Sequence, residues 1–399
     1  MPTARTPYDA VLHAARGIPK VDTALDAELL GAALLGSVYA LAESDRAGAL
    51  REFVGGFLAH TARRRTTAAR LIRHVFASLT PDAAAAAAVN PGADPPPWAG
   101  QVGRVRPKGA WAYGDVYGDQ TSYLAVFEYD DPRLGGPEHV VMALVDHNIG
   151  IVKDLFVSFP GDRVLDEVRR ASEQDDLIWF SEVDPAVLRR DVLPYLAVTD
   201  GLSALPDEGS LATDRALVGA RLRALPADAP ARAAAPPPDP GALTREFLAS
   251  PQGAALDRAL PRSSVEYAVQ LIFDFSGDAP DADPLRWSPA VAGFFLLDWV
   301  HRRAVLDDED VRTLPSVTRA WAEWAGARRG LAPGAVAAIV SAVDTMTEEF
   351  TRLYRTGERR GPAVEAMAAL LAEGVDPADP EALRRWLESH SDDNGHRPG

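Results

Sequence analysis

Apolar residues recur at spacings of three and four through TALDAELLGAALLGSVYALAE, over residues that favour helix, and the pattern resumes in ALREFVGGFLAH; two helices are predicted. A third is sharper. Ala68, Leu71, Ile72, Val75, Phe76 and Leu79 share one face, while Arg63, Thr66, Thr67, Arg70, Arg73 and His74 fall on the other, an amphipathic helix with a basic outer stripe.

The period then changes. In TSYLAVFEYDD, Tyr123, Ala125, Phe127 and Tyr129 alternate with Leu124, Val126 and Glu128, and the density of aromatic and β-branched residues predicts a strand. PRLGGPE reads as a turn, and EHVVMALVDHN and GIVKDLFVSF as two further strands joined by a turn at Asn148, Ile149 and Gly150, since Asn and Gly tolerate left-handed dihedrals. WAYGDVYGDQ supplies an edge strand or the loop leading in. The expected unit is an antiparallel sheet of three or more strands with both faces mostly covered. GDRVLDEVRRASEQ follows as a helix with Asp162 capping its first turn, LIWFSEV as a short strand, and DPAVLRRDVLPYLAV as a helix with Asp184 at the N-cap and Pro185 at its first position.

Beyond residue 241 the pattern is helical. Ser288 and Pro289 signal the start of an apolar helix running from Val291 to Trp299, the expected centre of this region. Val311, Leu314, Val317, Trp321 and Trp324 line the next helix or helix pair, with a break expected at Pro315. GAVAAIVSAVDTMTEEFTRLY, VEAMAALLAE and EALRRWLES complete a bundle.

Two stretches rich in Pro, Ala and Asp lack large apolar residues and read as linkers. The organisation expected is a helical segment at 1–80, a linker at 81–100, a sheet-containing domain at 101–225, a linker at 226–241, a helical domain at 242–388 and a disordered tail at 389–399. The fold class is α+β, because strands precede helices in a block instead of alternating with them.

Composition narrows the chemistry. The 399 residues are 47% hydrophobic and 25% charged, ordinary for a globular chain, and the net charge of -16 argues against a broad phosphate-neutralising surface. With no cysteine, disulfides, thiolate nucleophiles and Cys-type metal sites are excluded. The N-terminus lacks the apolar core of a secretory signal, and no run of about 18 uninterrupted apolar residues occurs. A cytoplasmic protein without a membrane partner is expected.

The phrases GDQTSYLAVFEYDD, GGPEHVVMALVDHNIG and LRWSPAVAGFFLLDW resemble recurring phrases of a family of actinobacterial proteins with no established activity. The likeness implies an actinobacterial, cytoplasmic origin and carries over no residue roles.

Asp146, His147 and Asn148 have the groups of a metal site or general base, with Lys153 and Asp154 a hairpin's width away and His139 at the start of the same strand. On one strand, however, Asp146 and Asn148 share a face and His147 takes the other, which favours local hydrogen bonds to the turn. Glu182, Asp119 and Glu128 are the carboxylates that tertiary structure would have to bring near. GDVYGDQ lacks the ligands of a calcium loop and reads as a turn, and the acids at 307–310 suit a helix start. Phosphate-loop, dinucleotide, nucleophile-elbow and HExxH signatures are missing. Trp287 and Trp321, with Trp299 and Trp324, suit a core or the wall of a ligand pocket.

The leading expectation is a non-catalytic regulatory or interaction protein that binds a protein or a small ligand. Its rivals are a metal-dependent hydrolase or nuclease using Asp146, His147, Lys153 and Asp154, and nucleic-acid binding through Arg63, Arg70 and Arg73. Cofactor, metal and oligomeric state are left open.

Overall fold

The alternating segments form a five-stranded, wholly antiparallel sheet: β1 (Val105–Asp115), β2 (Gln120–Tyr129), β3 (His139–Asp146), β4 (Ile151–Ser158) and β5 (Ile178–Glu182), in the order β4-β3-β2-β1-β5. This computed structural model describes residues 6–80, 91, 94–206, 209–231, 238–279, 282–376 and 379–391. The chain divides into two compact units, 1–234 and 235–399.

WAYGD is neither edge nor loop. It lies in β1, an interior strand flanked by β2 and β5. Its inward positions are Ala110 and Ala112, too small to stand out as core in the sequence, while Trp111 and Tyr113 face the other layer. A β-carbon on Gly114 would meet the Gln120 carbonyl oxygen, so glycine lets the two strands close up here. GDVYGDQ is the expected turn. The Asp115 carboxylate accepts from the backbone N–H groups of Tyr117, Gly118, Asp119 and Gln120 at 2.7–3.0 Å, fixing the β1–β2 hairpin.

Period-two alternation sends Phe127, Tyr129, Val141, Ala143 and Val145 to one face, and Leu124, Val126, Val140 and Met142 to the other. The first face meets helices α2 (Ala24–Leu41), α3 (Arg46–Thr61), α4 (Thr67–Leu79), α6 (Pro185–Asp200) and α7 (Leu211–Ala224); the second meets α5 (Gly161–Gln174) through Leu165. A short α1 (Pro7–Ala14) precedes them. The N-terminal helices therefore share one hydrophobic core with the sheet, joined through Leu35, Leu71, Val75 and Phe76. Trp98 and Ala99, expected in a linker, are buried in that core; residues 81–90, 92 and 93 of the same stretch lie outside the described residues. By length and composition α2 would pass for a membrane span, with mean hydropathy 1.4 over 18 residues, and half of it is buried inside the unit.

Asp184 and Pro185 start α6 as expected, but Gly161 opens α5 after Pro160, with Asp162 inside its first turn rather than capping it. In the β3–β4 turn Gly150 takes the left-handed conformation, and Asn148 is not among the positive-φ residues.

The second unit is all helix: α8 (Pro240–Ala249), α9 (Pro251–Asp257), α10 (Arg262–Asp278), α11 (Pro289–Phe294), a π-helical turn Phe295–Trp299, α12 (Val300–Arg303), α13 (Asp308–Arg328), α14 (Pro333–Thr356), α15 (Pro362–Ala372) and α16 (Pro380–Ser391). Ser288 caps α11 through a 2.9 Å bond from Val291 N–H. Asp307 and Asp310 form a capping box on α13, which accounts for the acid-rich start. Pro315 does not break this helix. It is buried on the face shared with Val311, Leu314 and Trp321, whose packing offsets the lost backbone hydrogen bond. Of the expected tail, 389–391 end α16 and 392–399 lie outside the described residues; so do 232–237 of the second linker.

Candidate functional site

The Asp146 to Asn148 cluster makes hydrogen bonds within the turn and to the neighbouring strand and helix. The Asp146 carboxylate accepts from Asn148 N–H at 3.0 Å and from Gln120 Nε2 at 3.0 Å, closing the turn and tying it to β2. His147 projects to the opposite face, its Nε2 2.9 Å from Thr121 Oγ1 and its Nδ1 3.1 Å from Tyr195 Oη. Lys153 and Asp154 occupy a bulge where the β3–β4 register shifts; Lys153 is exposed, and Asp154 accepts from Ser210 N–H at 3.1 Å, at the N-terminus of α7, where a carboxylate is favoured. Glu128 pairs with Arg106 at 2.8 Å, and Glu182 lies on β5, three strands from β3. Asp119 comes near through its backbone, its carbonyl accepting from His147 N–H at 2.8 Å. Among the described residues no group of three or more His, Asp and Glu stands where it could hold a metal ion.

The basic stripe is also changed. Thr66 caps α4, so Arg63 precedes the helix; Arg70 and Arg73 are half-buried rather than open to solvent, and neighbouring His74 meets the Ala99 carbonyl. Trp287 and Trp321 are core residues, 1% and 0% exposed, and both indole N–H groups donate to the Pro284 carbonyl at 2.9 Å. They form no open pocket wall.

Two buried polar networks were invisible in the sequence. In the first, Arg221 of α7 donates to Glu28 of α2, to Tyr129 Oη at 2.7 Å and to His139 Nε2 at 2.9 Å, and Glu28 also accepts from Gly103 N–H at 2.7 Å. His139 Nδ1–H points to the Pro137 carbonyl, leaving Nε2 free to accept. Burial, then the Arg221 charge, lowers the His139 pKa to about 3, so the ring is neutral. Burial raises the Tyr129 pKa.

In the second network, Arg215 grips Asp200 through Nε at 2.8 Å and Nη2 at 2.5 Å, and Tyr39 Oη donates to the same carboxylate at 2.8 Å. Burial works against the Arg215 charge, but Asp200 outweighs it and the pKa is raised. The third nitrogen of Arg215, Nη1, lies over Gly219. Both Nη1 atoms crowd over Gly219, where a β-carbon would meet that of Arg215 and stand 3.2 Å from that of Arg223. The positions 215, 219 and 223 are successive steps of four on α7, one stripe of the helix.

This stripe opens into a cavity of about 40 Å³ where α2, α3, α4 and α7 meet, walled by Leu35, Ala47, Leu50, Leu79 and Ala216, with Thr80 and Arg51 at its border. Arg223 donates to the Leu79 carbonyl at 2.8 Å, and no carboxylate among the described residues pairs with it. Burial, with Arg215 and Arg189 nearby, lowers its pKa to about 10, still charged at neutral pH. A half-buried cation with no carboxylate partner among the described residues, beside a second guanidinium, carries a desolvation cost that an anion in the cavity would offset. No family model, curated protein or solved structure matches the chain.

Proposed function

We propose that the protein is a non-catalytic, ligand-responsive regulatory protein that holds a small molecule between α2, α3, α4 and α7. One observation carries the reading: two guanidinium groups converge over Gly219 at the edge of a cavity, and Arg223 has no carboxylate partner among the described residues. The alternative chemistry has less support, since Asp146, His147 and Asp154 each serve the turn, the sheet or the α7 terminus. A ligand there touches four helices that share the sheet's core, so its arrival can alter their packing.

The test compares wild type with Ala47→Phe, which fills the cavity and leaves every arginine in place. Protein purified from its host is denatured and the released small molecules are identified by mass spectrometry. Wild type is expected to release one compound in near-stoichiometric amount and the filled variant none. Equal release from both, or release of a transition metal with hydrolytic activity that depends on His147, contradicts the reading.

A further inference from the structure

The two edges of the sheet differ in cover. On β4 the outward backbone is occupied by side chains of the neighbouring helices: Val152 N–H donates to Thr199 Oγ1 at 2.8 Å, the Val152 carbonyl accepts from the same hydroxyl at 3.1 Å, Val157 N–H donates to Asp214 at 3.0 Å, and the Leu155 carbonyl accepts from Ser210 Oγ at 2.9 Å. β5 has no such cover. Val183 N–H donates to the Ala110 carbonyl and the Leu177 carbonyl accepts from Val116 N–H, so the odd-numbered residues bond to β1. Phe180 and Glu182 therefore turn N–H and C=O outward, where no partner stands among the described residues. Ile178 offers only its carbonyl there, because its N–H donates to the Asp175 carbonyl.

An edge of this kind pairs with another strand unless something blunts it. Ile178, Trp179 and Phe180 favour strand, and neither Pro nor Lys interrupts the five residues. Both rings are folded back onto their own sheet: Trp179 lies over Gly114 and donates to the Asp115 carbonyl at 3.0 Å, while Phe180 packs in the layer under α5. Neither blocks the outward backbone. The edge also matches itself. Laid antiparallel in the register that uses the whole strand, Phe180 meets its own copy, Trp179 meets Ser181 and Ile178 meets Glu182, so no like charges face each other within the strand. The Phe180 residues exchange their N–H and C=O bonds, and each Glu182 N–H reaches the opposite Ile178 carbonyl, the group left open there.

We propose that β5 is an interface between two copies of this chain, joined edge to edge about a two-fold axis at Phe180 into one continuous antiparallel sheet. The full-length protein is examined by sedimentation at about 0.15 M salt, where screening confines the repulsion between chains of net charge -16 to about 8 Å. Over protein concentrations of about 1 to 100 μM the mass is expected to rise from one chain to two. Glu182→Pro removes an outward N–H and no bond to β1, and is expected to weaken association about tenfold. Ile178→Lys sets an ammonium against the partner's Glu182 and is expected to tighten association about threefold; adding Glu182→Lys makes both contacts like-charged and is expected to weaken it about tenfold below wild type. Circular dichroism checks each fold, and if Glu182→Pro does not fold the lysine variants decide. A monomer across the whole range, the outcome if the edge serves a strand of another protein, overturns the proposal. So does a dimer that a folded Glu182→Pro leaves unchanged, and so does a double lysine variant that associates as tightly as Ile178→Lys.

Discussion

Arg221 carries its charge at a place where it is 1% exposed, and Glu28 beside it is fully buried. Such a pair earns little net stability over an apolar replacement, yet removing one partner strands the other. Glu28→Gln is therefore expected to cost about 3–5 kcal/mol, read as a lower urea midpoint. His139 adds a pH dependence. The folded chain holds its pKa near 3 by burial and by the Arg221 charge, whereas the unfolded chain protonates near the ordinary imidazole value of 6.5. Between those values the unfolded state binds more protons, so this residue removes stability as the pH falls below 6.5, at up to about 1.4 kcal/mol per pH unit. Urea midpoints at pH 7, 6 and 5 are expected to decline less steeply in His139→Gln, whose carbonyl still accepts from Arg221; identical slopes contradict this assignment. The pairing was not legible in the sequence, because Glu28 and Arg221 are 193 positions apart and no local pattern links them.

At the scale of elements, what could be read was what repeats locally. β2, β3 and β4 announced themselves by β-branched and aromatic alternation, and Ser288, Asp184 and Asp307 marked helix starts through bonds that span only two or three residues. β1 was misplaced because its inward side chains are alanines, and Pro315 was read as a break because burial, which decides the matter, lies outside the local pattern. The cavity left one faint trace, the stripe Arg215, Gly219 and Arg223 in RALVGARLRA, in which glycine replaces the residue that would separate two like charges. Gly219→Ala tests that stripe. Helix propensity gains up to about 1 kcal/mol, while the new carbon pushes the Arg215 tip away from its place beside Asp200. The loosened pair with Asp200 is expected to outweigh the helix gain and lower the thermal midpoint; an unchanged or higher midpoint contradicts the crowding over Gly219.

For the whole molecule, the division at 234/235 falls inside the Pro-rich stretch, which is legible because so few of its residues can be buried. The N-terminal helices were not legible as part of the sheet's unit, since that depends on which apolar faces meet. A polyanion meets the full field of a chain with net charge -16, whereas a small ligand in the cavity meets chiefly the side chains that line it. The most direct test is a nuclear magnetic resonance measurement on methyl-labelled full-length protein saturated with the compound released from the native protein. Intermolecular Overhauser contacts are predicted between that compound and the methyls of Leu35, Leu50 and Leu79; contacts to other residues instead, or none at saturation, would contradict the account.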